Sequence, residues 1–91
     1  MGHTYFIDGN WAKAAEYFER FIANTTNRQY KCFVLWKLGF SLWMMNVPNR
    51  VERVTELNQR VIDLADDRFV YERYSARTAK RFIKQQRYTP V

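Results

Sequence analysis

RQYKCFVLWKLGFSLWMMN, residues 28–46, is the stretch on which the fold turns. Tyr30, Cys32, Phe33, Val34, Leu35, Trp36, Leu38, Phe40, Leu42, Trp43, Met44 and Met45 fall on nearly every side of a helix. A helix with so little polar face has to be covered from several directions. Gly39 sits in its middle, where glycine costs about 1 kcal/mol relative to Ala. The expected compensation is that bare backbone lets another helix come close. Lys37 and Ser41 interrupt the run, which falls short of the ~20 apolar residues that span a bilayer. Val47-Pro48-Asn49 stops the helix.

Upstream, Trp11, Ala14, Ala15, Phe18, Phe21 and Ile22 recur at steps of three and four, with Lys13, Glu16, Glu19 and Arg20 on the other face. This predicts an amphipathic helix over about 10–23, opened by an Asp8-Gly9-Asn10 turn whose short polar side chains suit a helix start. Residues 1–8 are a short stub; Thr4-Tyr5-Phe6-Ile7 reads equally as the end of a helix or as extended chain. Downstream, Val51, Val54, Leu57, Val61, Leu64 and Ala65 share one face of a helix over about 49–65. Asp66 and Asp67 then end that helix and are expected to cap the next, where negative charge meets the positive end of a helix dipole. The last helix, about 68–85, places Tyr71, Ser75, Ala79 and Phe82 on one side, flanked by Ala76 and Ile83. Arg73, Arg77, Lys80, Arg81 and Lys84 take the other. No strand alternation competes, so the expected class is all-α: a single helical segment of about four helices.

The chain has 91 residues, 47% hydrophobic and 18% aromatic, with three Gly and two Pro. Disordered, collagenous and linker sequences need fewer apolar residues or more breakers. The net charge of +6 is uneven: residues 1–49 carry five basic and three acidic side chains, residues 50–91 ten and six. Between 68 and 87 there are seven basic residues against one acid, Glu72, so any electrostatic function is expected on that helix.

No catalytic or metal signature emerges. There is no Gly-rich phosphate loop, and the single histidine, His3, cannot complete a metal pair or a nucleophile–base set. Glu16 and Glu19, beside Arg20, read as solvated surface. The aspartates at 63, 66 and 67 lack the alternating ligands of a calcium loop. Cys32, alone in an apolar run, reads as a small core residue. The expectation is a protein that is not an enzyme and has no cofactor. No charged leader with a cleavage site precedes the first helix, which points to a cytoplasmic protein.

The run Gly9-Asn10-Trp11-Ala12-Lys13-Ala14-Ala15-Glu16-Tyr17-Phe18 resembles the second helix of a tetratricopeptide repeat, and Leu35, Leu38, Gly39 and Leu42 follow the spacing of that repeat's first helix. A narrower resemblance covers roughly residues 8–91. Asn10-Trp11-Ala12-Lys13-Ala14 with Phe18, then Val54-Thr55-Glu56-Leu57-Asn58-Gln59-Arg60-Val61, then Glu72-Arg73-Tyr74-Ser75-Ala76-Arg77-Thr78-Ala79-Lys80-Arg81-Phe82 are similar to segments of the family of tetratricopeptide repeat protein thirty-nine and the fungal inclusion-body-clearance protein. Pro90-Val91 falls where that family runs into a Pro/Leu-rich segment. The resemblance implies a C-terminal portion of a longer αα-hairpin solenoid, serving as an adaptor linked to lipid droplets or lipid metabolism.

The resulting expectation is a scaffold for a protein partner, held by charge through Arg73, Arg77, Lys80, Arg81 and Lys84, with Tyr30 and Trp43 as aromatic contacts. The alternative is a small basic helical module that binds an anionic membrane surface or nucleic acid through the 73–84 face, with Tyr74 and Tyr88 stacking on bases. Self-association through uncovered apolar helix faces is a further expected partner mode.

Overall fold

The computed structural model describes residues 2–88. The match at Pro90-Val91 lies outside them. The helices follow in chain order as α1 (Gly2–Ile7), α2 (Trp11–Asn24), α3 (Arg28–Met45), α4 (Arg50–Leu64) and α5 (Val70–Gln85), with no strand among the described residues. All-α is therefore right, but the described residues hold five helices rather than about four. The stub closes into α1 because its aromatics have partners: Tyr5 stacks on Tyr17 at 5.5 Å, and Phe6 lies 5.4 Å from Trp11 and 5.5 Å from Phe40. Six residues are too few to be helical on local propensity alone, so periodicity does not reveal them.

Loop chemistry is local and mostly as expected. Gly9 takes φ +76°, the left-handed turn that ends α1. The Asn10 side chain accepts from the N–H of Lys13 at 3.4 Å and that of Asn27 from Tyr30 at 3.2 Å, capping α2 and α3. Asn46 and Asn49, both at φ 55°, turn the chain between α3 and α4, a conformation Asn tolerates better than most residues. The aspartate cap on α5 does not form. Asp66 instead accepts from the backbone N–H of Arg68 at 2.9 Å and from its guanidinium at 2.6 Å. These bonds hold its carboxyl well below the usual carboxylate range and keep 66–69 as a turn. The helix accordingly starts at Val70, two residues later than expected.

α3 is central and packs against α2, α4 and α5, as its all-round apolar surface requires. One core cluster joins Ala14, Ala15 and Phe18 of α2 to Leu38 and Leu42 of α3, Val54 of α4 and Phe82 of α5. A second joins Cys32 and Leu35 to Val61 and Ala79. Gly39 marks a close approach: a Cβ there would stand 2.9 Å from the Tyr88 hydroxyl and 3.6 Å from Val54 Cγ1. No helix among the described residues is long and apolar enough to cross a membrane.

Cys32 is fully buried, with Sγ 3.8 Å from the Val61 carbonyl oxygen, and burial pushes its thiol up to about 11. The thiolate is the reactive form, so the folded chain should resist maleimide at pH 8 and label only as fast as it unfolds. Labelling at the rate of a free thiol in native buffer, followed by mass spectrometry, would contradict this placement.

Candidate interaction surface on α5

At about 100° per residue, Arg73, Arg77, Lys80 and Lys84 fall within one narrow strip of α5, with Arg81 a little further round. All five are exposed. None pairs with a carboxylate among the described residues; Arg73 alone is partly engaged, donating to the Asp67 carbonyl at 3.4 Å. The basic face expected from the sequence is thus intact as a row of uncompensated cations.

The other side of α5 differs from expectation. Tyr71 does not join Ser75, Ala79 and Phe82 in the interior; it is 72% exposed. Its neighbour Glu72 goes inside at 1% exposure. The inversion follows from partners supplied by distant chain. Glu72 Oε1 accepts from the N–H of Asp66 at 3.1 Å and lies 3.4 Å from the Arg28 guanidinium, which is also 3.6 Å from Asp66 and donates to the Leu64 carbonyl. A carboxylate so supplied tolerates burial. Arg28 thereby ties the first turn of α3 to the α4–α5 connection.

With Tyr71 turned out, an aromatic surface forms that sequence periodicity missed. Tyr30 and Phe33 of α3, Phe69 before α5, and Val70 and Tyr71 at its start line a cavity of about 680 Å3. Phe33 lies 5.9 Å from Tyr71 and 6.0 Å from Trp36, and Trp36 meets Tyr74 edge-on at 6.0 Å. Tyr30 is 62% exposed. On α5 the exposed Tyr74 stands between this surface and Arg77 and Arg81, one and two turns on. The signal available beforehand was the excess of aromatics around 69–74, but which of them point outward depends on where Arg28 arrives.

Two expected contacts are not brought to this surface. Trp43 is half-buried in the last turn of α3, while Tyr30 is in the first. Its ring is met by Phe82 at 5.1 Å and covered by the Arg50 guanidinium at 3.6 Å. Tyr88, offered as a base-stacking residue, is also engaged. It lies 4.7 Å from Phe82 and accepts from Asn58 Nδ2 at 3.1 Å, and burial pushes its hydroxyl above the usual tyrosine range. Compared with known proteins, the chain matches no family model, no curated protein and no solved structure.

Proposed function

We propose that this chain is a non-enzymatic helical-repeat scaffold, a tetratricopeptide-like αα-hairpin solenoid segment whose α5 face holds an acidic segment of a protein partner. The observation that carries the reading is the row Arg73, Arg77, Lys80, Arg81 and Lys84, uncompensated by carboxylates, running beside the exposed tyrosines 71 and 74. Aromatic and Arg side chains supply most anchors of protein interfaces, and an acidic partner would gain encounter rate from the basic row. Helices joined by loops of three to five residues, and the α3–α5 packing across an intervening helix, support the repeat reading. The family resemblance extends the proposal to lipid-droplet or lipid-metabolism processes in the cytoplasm.

A displayed peptide library selected on the immobilised chain is expected to enrich segments that combine Asp or Glu with a large apolar residue. The double changes Arg77→Glu with Lys80→Glu, and Tyr71→Ala with Tyr74→Ala, should each weaken the selected peptide about tenfold or more. The charge reversals should leave the melting temperature nearly unchanged, since both side chains are exposed, while the tyrosine pair, which meets Phe33 and Trp36, should lower it by several degrees without unfolding the chain. Binding indifferent to both pairs overturns the reading. A second reading, an anionic lipid surface or RNA, is favoured by the same uncompensated cations. It predicts tighter binding to phosphatidylserine vesicles or RNA than to any peptide, lost steeply between ~50 and ~200 mM salt.

A further inference from the structure

Among the described residues the interior holds, apart from Glu72, one other long charged side chain, and this one has no counter-charge there. Lys37 is 5% exposed on α3. Its Nζ lies 4.4 Å from the ring centre of Phe33 and 5.4 Å from that of Phe6, and it is hydrogen-bonded to Nδ1 of His3, which α1 brings across. No carboxylate among the described residues pairs with it. Cation–π attraction is worth about 0.5–2 kcal/mol, less than the several kcal/mol of desolvating an ammonium ion. Burial accordingly pushes the amine below the usual lysine range. At neutral pH an ordinary lysine is neutral in only roughly one molecule in two thousand, so any such lowering enlarges the nucleophilic fraction.

Lys37 and His3 both form part of the wall of a cavity of about 530 Å3 between α1, α2 and α3. Its other walls are largely apolar, Tyr17, Phe18 and Phe21 of α2 with Tyr30 and Val34 of α3, and Arg20 and Asn24 of α2 add a polar edge. Phe21 and Tyr30 are exposed, so the cavity opens to solvent. That volume lies within the ~300–1,000 Å3 of small-molecule sites. It shares only Tyr30 with the lining of the α5 aromatic cavity. An amine kept from its counter-ion, a base in hydrogen-bond contact with it, and an apolar chamber in front of both are the parts of a site that captures carbonyl compounds.

We propose that Lys37 is a covalent site for apolar aldehydes, which enter through the cavity between α1, α2 and α3. The Nζ lone pair of the neutral amine attacks the carbonyl carbon as the C=O π pair moves onto oxygen. His3, in the tautomer whose proton sits on Nε2, relays one amine proton through Nδ1 to that oxygen and gives a carbinolamine. The nitrogen lone pair then displaces the hydroxyl, which takes the second amine proton and leaves as water. Amine and aldehyde become imine and water, with no oxidant or reductant.

The whole chain is incubated with naphthaldehyde and cyanoborohydride, which reduces the imine in place, and digested for mass spectrometry. The readout is which of Lys13, Lys31, Lys37, Lys80 and Lys84 carries the adduct. At about pH 7, Lys37 should label at least about tenfold faster than any other lysine, saturably in naphthaldehyde. Acetaldehyde, too small to use the apolar walls, should show a much weaker preference. Raising the pH should narrow the preference, because the surface lysines then gain neutral amine. His3→Ala should slow Lys37 several-fold without moving the melting temperature by more than a few degrees. Labelling of Lys37 no faster than of the other four overturns the proposal. So does a preference that survives unfolding in urea, and both readouts need no variant.

Discussion

Replacing Phe82 by Ala is expected to cost about 3–5 kcal/mol, the range for a fully buried aromatic removed from a core that collapses only partly. Phe82 is completely buried on α5 and belongs to the cluster that joins α5 to α2, α3 and α4. Its ring meets Trp43 edge-on at 5.1 Å and Tyr88 at 4.7 Å. Tyr88 in turn lies over Gly39 and accepts from Asn58, so loss of the ring loosens the place where α3, α4 and the C-terminal chain converge. A chain of this length has roughly 5–15 kcal/mol of stability in total, so the variant should lose a large share of it. Circular dichroism melts should show a fall of roughly 15 °C or more. Phe21→Ala, at a 40% exposed position, is the control and should stay within ~1 kcal/mol of wild type. Equal melting temperatures for the two variants would mean that Phe82 is not at the centre of the core.

Arg28→Ala should be the most damaging change at any exposed charge, at about 3 kcal/mol, because it strands a buried carboxylate. The Arg28 side chain is 43% exposed, yet it faces Glu72 at 1%. Glu72 would keep only the Asp66 N–H, and its Oε2 already has no hydrogen-bond partner among the described residues. The reverse change, Glu72→Leu, leaves Arg28 in water and beside Asp66 at 3.6 Å, and should cost less. The double variant should therefore be more stable than Arg28→Ala alone, a non-additivity that urea unfolding of the four proteins measures directly. Simple addition of the two single effects would reduce the pair to a solvent-screened surface contact, worth about 0–1 kcal/mol.

Helix number and helix faces were legible to different degrees. The periods of α2 and α4 and the Asn10 cap follow from neighbours a few residues away, whereas the group that comes closest to Gly39 is the hydroxyl of Tyr88, after α5, with α4 at ordinary contact distance. The basic row of α5 was equally legible, because cations at steps of three and four face solvent unless something distant draws them in. Periodicity does not decide α1, because its helix rests on rings of α2 and α3 rather than on its own six residues. Trp43 shares a helix face with Trp36, seven residues earlier, a spacing that suits a core position as well as a contact. Its ring is taken by Phe82 and Arg50, the first 39 positions along the chain and the second on the far side of a turn.

Sequence alone determined the all-helical class, the loop positions, the central place of α3 and the cationic edge of α5. Each depends on hydrophobic period, capping chemistry or charge, which act over one or two turns. Tertiary structure alone decided that Glu72 and Lys37 go inside while Tyr71 stays out. A charge enters the interior only where remote groups meet it: for Glu72 these are Arg28 and the Asp66 amide, for Lys37 two phenyl rings and His3. Glu72 lines the aromatic cavity beside α5, and Lys37 the one between α1, α2 and α3.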